Sequence, residues 1–341
     1  MTTAARVLAS IVTCNSARYL RACLDSVRAQ THPELEVRLW DNASTDGTRA
    51  IAAEYAGMLA ALHLSEHNIG FSAAHNRLIA ASAADYVLVL NPDVLLDPRF
   101  VEILLAALRA DPGAGAATGK LRRMPGEGAD PAGARVIDTA GIYFTRNQRH
   151  LDRGSGERDR GQYDAREYVF GASGAAAFYR RAMLEDVRFG AEYFDESFFA
   201  YREDADLAWR AQWLGWSCLY VPQATGWHAR RVLPERRASL PAEINMHSFK
   251  NRFLLRIKNM DAGTYARNFL PITARDLLAL GYVLLRERSS LRAFPLLCRA
   301  LPHARRARAD LWKRRRAAPR DLRRWFADRP VARPAPEPTH L

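Results

Sequence analysis

The first ninety residues alternate short apolar runs with segments of helical spacing, and that alternation narrows the fold more than any other feature of the chain. Residues 6–12 read as a buried strand, residues 36–40 as a second, residues 61–64 as a third and Tyr86–Leu90 as a fourth. Between the first two, residues 17–29 carry Leu20, Cys23, Leu24 and Val27 at helical spacing. The polar turn Asp41–Thr48 opens a helix through Ile51 and Tyr55 that Ser44 or Thr45 can cap, and residues 72–83 form another helix. Such a strand–helix repeat predicts an α/β fold, a doubly wound, mostly parallel sheet flanked by helices. Ligands of these sheets sit at the carboxyl ends of strands. Thr13, Asp41, Asn68 and Asn91 all fall just past predicted strand ends and are placed to line one cleft.

Further along, residues 100–109 read as a helix, and residues 119–168, rich in Gly, Arg and Asp, as a partly mobile insertion. Residues 169–179 are strand-like around Gly171-Ala172-Ser173-Gly174. A helix over residues 203–214 stops at Gly215, and residues 247–260 and 272–316 read as basic helices. The proline-rich tail, residues 330–341, is expected to be disordered. The implied organisation is one domain over residues 1–230, in two halves that divide at about residue 97. A basic helical C-terminal region over 231–329 and the tail follow.

Charge divides along the same line. Residues 1–229 hold 24 Lys+Arg against 28 Asp+Glu, a net −4, whereas residues 230–341 hold 26 against 9, a net +17. A basic appendage of this kind points to an anionic partner. The mixture of Leu277, Leu278, Leu280, Val283, Leu284, Leu285, Leu296 and Leu297 with arginines suits amphipathic helices on an anionic membrane surface. Two other readings are helices packed on the domain over residues 1–230 and pairing with a second subunit in a homo-oligomer. No nucleic-acid-binding motif accompanies the charge, so nucleic acid is not expected as a partner. The longest apolar run, Leu277–Leu285, is nine residues and contains Gly281, too short to span a bilayer. The N-terminus lacks the apolar region of a signal peptide. Cys14, Cys23, Cys218 and Cys298 show no paired or metal-like spacing, and are expected to be reduced and mostly buried. The expectation is a cytoplasmic protein, peripheral at the inner face of the cell membrane.

Two acidic segments carry the chemistry. Residues 194–210 put Asp195, Glu196, Glu203, Asp204 and Asp206 among Phe194, Phe198, Phe199, Tyr201 and Trp209. Carboxylates held against apolar rings lose water, their pKa values rise, and they become candidate bases. An acid-rich helix start over an aromatic core is the bland alternative, and Asp206 fits it, since an acid near a helix N-terminus is favourable in any protein. Asn91-Pro92-Asp93 follows the fourth strand directly. A carboxylate there can hold Mg2+ or Mn2+, which take oxygen ligands and share them with a diphosphate. Taken by itself the tripeptide is also an ordinary Asn-Pro turn.

Beyond these single readings, an ordered set of motifs resembles family 2 glycosyltransferases of the GT-A fold, in their rhamnosyltransferase-like branch. It comprises Ile11–Asn15, Trp40–Thr48, Asn68–Asn76, Asn91-Pro92-Asp93, Phe194-Asp195-Glu196, Glu203–Asp206 and His228, within residues 6–230. The resemblance implies an inverting transfer from a nucleoside-diphosphate sugar, with dTDP-rhamnose the donor of that branch. The acceptor would be a lipid-linked glycan or a polysaccharide in cell-envelope synthesis. Asp93, in the family's Asp-x-Asp position with Asn91 replacing the first acid, and His228 would hold the metal. Asp204 would be the general base and Glu203 its acceptor-orienting neighbour. Thr13, Asn15, Asp41, Asn42, Gly70, Phe71, Asn76, Asn91 and Arg230 would contact the nucleotide sugar. Gly171, Ala172, Asp195, Glu196 and Trp209 would line the acceptor pocket. A UDP-hexose or UDP-galactofuranose transferase is the alternative within the family. A catalytically silent nucleotide-sugar binding module is the alternative outside it. A nucleotidyltransferase would need a Gly-rich, Lys-containing N-terminal loop, which this sequence lacks.

Overall fold

A computed structural model describes residues 5–124, 135–230 and 241–336. The chain begins β1 (Val7–Thr13), α1 (Ala17–Arg28), β2 (Leu35–Asn42), α2 (Thr48–Glu54), β3 (Ala61–Ser65), α3 (Gly70–Ala80) and β4 (Tyr86–Leu90). There follow β5 (Val94–Leu96), α4 (Phe100–Ala110), β6 (Ala114–Arg123), β7 (Ile137–Thr139), β8 (Ile142–Phe144), β9 (His150–Asp152), β10 (Glu167–Val169) and β11 (Ala176–Arg180). Next come α5 (Arg181–Val187), α6 (Glu203–Trp213) and β12 (Ser217–His228). The C-terminal region contains α7 (Ala242–Asn259), α8 (Ala262–Arg267), α9 (Phe269–Arg286), α10 (Ala293–Arg314), α11 (Pro319–Arg323) and β13 (Arg333–Pro334).

The strands form one sheet in the order β13-β10-β12-β6-β11-β4-β1-β2-β3, with β5 added to β12 and β7 to β6. The run β4-β1-β2-β3 is parallel, as the alternation predicts. Strand β11 enters antiparallel between β4 and β6, and from there the sheet is mixed. Both faces are apolar because β4 points Val87 and Val89 into one core, and Tyr86, Leu88 and Leu90 into the other. Parallel β1, β2 and β4 all end on the same edge, which places Thr13, Asp41 and Asn91 there.

Several local expectations are corrected. The N-cap of α2 is Gly47, and neither Ser44 nor Thr45 caps it. Asp46 does that work: its carboxylate accepts from Thr48 N at 3.0 Å and from Ala17 N at 3.1 Å, joining the starts of α1 and α2. The expected strand over 169–179 is two strands, β10 and β11, separated by residues 170–175, where Gly171 lies so close to α6 that a Cβ there would be 2.3 Å from Ala208 Cβ. Residues 135–168 are not a loose insertion. Asp159 accepts from Lys120 and Arg122, and β7 joins the main sheet. The tail is ordered at Arg333–Pro334, which pairs with β10; residues 337–341 lie outside the described residues. Cys23 and Cys218 are buried, but Cys14 and Cys298 are exposed.

Helix α7 joins the C-terminal region to α6 through buried charge. Lys258 Nζ lies 2.5 Å from Asp195 and 2.8 Å from Asp206, which also takes Arg210 Nε at 2.9 Å and Asn259 Nδ2 at 2.7 Å. Asp206 is thus structural, as its helix-start position allowed. Removing the Lys258 ammonium would leave two buried carboxylates undercompensated. Lys258→Met should therefore cost about 3 kcal/mol of stability, measurable by urea denaturation.

Candidate active site

The turn between β4 and β5 presents Asp93, buried at 8% exposure, toward the end of β12. Val94 pairs with His228 in the β5–β12 ladder, and Ala229 N donates to the Asp93 carbonyl at 3.0 Å. This register brings Asp93 Oδ1 to 3.4 Å from His228 Nε2. The other ring nitrogen, Nδ1, lies 2.8 Å from Asp138 Oδ2 on β7. Burial by itself would lower the His228 pKa, but the carboxylates of Asp138 and Asp93 outweigh it and raise it to about 10.

From Asp138 the chain of charges continues. Arg230 Nη1 donates to Asp138 Oδ1 at 2.9 Å, and Nη2 pairs with Asp152 at the end of β9. Asp152 in turn raises the pKa of Asp204 electrostatically. Arg230 is therefore committed to two carboxylates of its own chain. Arg231 lies outside the described residues.

Glu203 and Asp204 open α6. Desolvation, then the neighbouring Asp204 charge, push Glu203 up to about 8, and its Oε2 is buried without a hydrogen-bond partner. Burial raises Asp204 to about 6, opposed by the Gly174 N–H, which donates to Asp204 Oδ2 at 2.9 Å. A Cβ at Gly174 would sit 3.3 Å from that oxygen, so a glycine permits the approach. The pair combines one carboxyl that keeps its proton near neutrality with one that gives it up about two units lower.

At the carboxyl edge, Thr13 and Asp41 are register partners on β1 and β2. Asp41 Oδ1 is engaged by Ser44 N at 3.0 Å and Arg49 Nε at 2.7 Å. Its Oδ2, and Thr13 Oγ1, are both buried without a hydrogen-bond partner. Two adjacent buried polar atoms left without partners mark a place where an outside group can bind.

Other residues expected at the site make contacts within the chain. Asn15 Oδ1 accepts from Thr45 N at 2.8 Å. Asn42 bonds Gly70 O and Ile69 N, fixing the start of α3. Asn76 spends both ends of its amide on Tyr193, Phe194 and Glu196, so it staples α3 to the acidic segment and occupies Glu196 as well. Gly70 has φ +85, and a Cβ there would meet the Phe199 ring at 2.6 Å and the Phe199 carbonyl at 2.7 Å. The backbone that approaches Gly70 and Phe71 is therefore residue 199. Asn91 N donates to Ala175 O at 2.9 Å. Gly171 and Ala172 are packed inside, and Trp209, 1% exposed, lies among Phe144, Phe170 and Phe326. Asp195 belongs to the Lys258 cluster behind α6.

Sequence reading missed Asp138 and Asp152. The available signal was a single acid inside the apolar stretch Val136-Ile137-Asp138-Thr139, within a segment taken for a loop.

The sequence matches the family model for glycosyl transferase family 2 over residues 9–188. The chain belongs to that family. It is 31% identical over 236 residues to an N-acetylglucosaminyl-diphospho-decaprenol L-rhamnosyltransferase of Mycobacterium tuberculosis (strain CDC 1551 / Oshkosh). That alignment covers 64% of this chain and 74% of the relative. This family member is thus rhamnosyltransferase-like. The fold is shared with S. aureus TarS residues 1–349 at a TM-score of 0.53, 18% identity, covering 90% of this chain and 89% of that one. It is also shared with the mannosyltransferase PcManGT of Pyrobaculum calidifontis, solved with GDP-Man and Mn2+. There the TM-score is 0.50 at 20% identity, covering 92% of this chain and 80% of that one.

The donor set suits a divalent cation. Two ligand atoms at right angles around a hard cation lie about 3 Å apart, close to the 3.4 Å between Asp93 Oδ1 and His228 Nε2. Asp138 on Nδ1 fixes the ring so that Nε2 faces Asp93, the arrangement by which outer carboxylates orient ligating histidines. Among the described residues one three-membered group, Glu192, Asp195 and His303, also has ligand atoms within 4.8 Å of one another. The Lys258 ammonium 2.5 Å from Asp195 already occupies the place of a cation there.

Because Glu203 binds its proton more tightly folded than unfolded, it costs stability as pH rises from the ordinary carboxyl range through about 8. Glu203→Gln should match the parent near pH 4 and exceed it by several kcal/mol, on the order of 4, at pH 9 in thermal denaturation.

Proposed function

We propose that this glycosyltransferase moves a sugar from a nucleoside-diphosphate donor to a hydroxyl of a lipid-linked or polysaccharide acceptor, with inversion, in cell-envelope glycan synthesis. The observation that carries the donor reading is the pair of unpartnered buried atoms, Thr13 Oγ1 and Asp41 Oδ2, at the ends of β1 and β2. A carboxylate oxygen there accepts the ring N–H of a uracil or thymine. The relative's L-rhamnosyl transfer supports dTDP-rhamnose as the donor, and its N-acetylglucosaminyl-diphospho-decaprenol supports a polyprenyl-linked acceptor. Residues 1–97 supply the donor half and residues 98–230 the acceptor half.

Asp93 and His228 would hold Mg2+ or Mn2+, and a cation bound there would neutralise the departing diphosphate. Asp204 accepts the proton of the acceptor hydroxyl as its oxygen bonds to the anomeric carbon. The bond from that carbon to the diphosphate oxygen breaks on the opposite face, and the electron pair leaves with the nucleoside diphosphate. Glu203, protonated below about pH 8, donates a hydrogen bond that orients the acceptor. The Gly174 N–H on Asp204 keeps that carboxyl ionised at neutral pH.

The C-terminal region supports a membrane-facing role. No helix among the described residues is long and apolar enough to cross a membrane. Helix α9 nonetheless exposes Leu270 at 77%, Leu277 at 64%, Leu278 at 76% and Leu285 at 79%, with Arg286, Arg288 and Arg292 exposed nearby. An apolar stripe beside cationic side chains matches an anionic bilayer surface, where a polyprenyl-linked acceptor resides.

Asp204→Asn should lower kcat at least ~10²-fold while donor affinity by calorimetry stays near that of the parent; full transfer would refute the base assignment. In the parent, kcat should rise with pH through about 6 as Asp204 loses its proton. Asp93→Ala should abolish the Mn2+-dependent part of donor binding. Changing Leu270, Leu277, Leu278 and Leu285 to Ser should abolish sedimentation with phosphatidylglycerol vesicles. Unchanged sedimentation would leave the stripe to a second subunit.

A further inference from the structure

The segment leading into Glu203 is strained. Phe199 has φ 66 and ψ −66, Tyr201 φ 69 and Arg202 φ 73, three left-handed backbones in four non-glycine residues. Such backbones are unfavourable for residues with a Cβ and persist only where surroundings impose them. What imposes it here lies largely in α7, beyond the residues that match the family model. The fully buried Asn251 points its Nδ2 at the carbonyls of Phe198 at 2.9 Å, Ala200 at 2.9 Å and Tyr201 at 2.7 Å. One turn around it, Lys250 Nζ donates to Ser197 O, and the His247 ring stacks on Phe199 with centroids 4.6 Å apart. From the other side, Phe71 N and Ser72 N at the start of α3 donate to Phe199 O at 2.7 and 3.3 Å. The segment is thus gripped between a helix of the donor half and a helix of the basic region, and it delivers Glu203 and Asp204 as the first residues of α6.

We propose that Asn251 is a positioning residue for the Glu203–Asp204 pair, and that α7 belongs to the catalytic unit as the clamp that sets where those carboxyls stand relative to the donor half. This deepens the reading of Asp204 as base and rests on it. An amide is suited to the place: its two N–H groups are shared among the three carbonyls, and an accepting group there could bond none of them. A small shift of a base costs far more in rate than in binding, since proton transfer and attack need near-contact geometry. The loss should fall on kcat.

The test uses the full chain, with dTDP-rhamnose, Mn2+ and a short-chain N-acetylglucosaminyl-diphospho-polyprenol, and reads kcat, donor affinity and hydrogen exchange. Asn251→Ala should lower kcat ~10²-fold with donor affinity within about twofold. It should also speed exchange of the Phe71 and Ser72 amides, and of residues 198–205, at least ~10-fold, which needs no substrate at all. Adding Tyr201→Gly, which adopts positive φ without restraint, should recover part of the lost kcat; a merely destabilised fold would not respond that way. Asn251→Ala that folds with parental kcat or parental exchange at these amides overturns the proposal. Should that variant not fold, His247→Ala is expected to lower kcat several-fold with the same exchange signature, and no change in either overturns the proposal. Asp204→Asn run alongside separates the two readings. If it is inactive while the Asn251 variants match the parent, the clamp alone fails. If it is active, the base assignment fails, and the exchange result still decides the clamp.

Discussion

The shared carboxylate of Asp138 is the interaction on which the site depends. It lies between the His228 ring and the Arg230 guanidinium, 2.8 and 2.9 Å from them. One buried anion thereby orients a metal-competent histidine and anchors the arginine that reaches Asp152. Without it, the His228 ring would lose the partner that fixes its Nδ1 side, and the Arg230 guanidinium would keep only Asp152 of its two carboxylates. Such an arrangement is stable because each charge faces an opposite one, a condition that burial makes severe. The same requirement recurs behind α6, where Lys258 and Arg210 compensate Asp195 and Asp206.

Glu203 and Asp204 are the exception, and the contrast defines their role. They are adjacent acids with no ion pair to either carboxylate among the described residues; Asp204 is held by two backbone N–H groups, from Gly174 and Ala205. Their pKa values are raised because the fold compensates the structural acids nearby and leaves these two to desolvation. Aromatic neighbours alone do not produce this, since Asp206 in the same helix is fully buried and fully paired.

Much of the scaffold was legible because it follows from local periodicity. Strand β4 has the bounds read from its apolar run, and α1, α3, α4 and α6 lie within a few residues of their expected ones. Family membership was legible for a related reason: its motifs sit at strand ends and helix starts, where a short segment carries its own geometry. The asparagines show where such reading fails. Asn15, Asn42 and Asn76 belong to the motifs, yet their amides are used in joining loops and helices of this chain. A side chain's type announces that it will hydrogen-bond but not to whom.

What the sequence alone determined about this protein is the parallel sheet, the edge where Thr13, Asp41 and Asn91 gather, and the acidic helix start. Each arises from contacts or alternation within a few residues. Only the tertiary structure decided which acids stay unpaired, that Asp138 and Asp152 join the site, and that α7 grips the segment before Glu203. Those outcomes depend on residues about 50 to 90 positions apart meeting at hydrogen-bond distance. No periodicity encodes such meetings, because they are settled by how sheet register and helix packing close around buried charge.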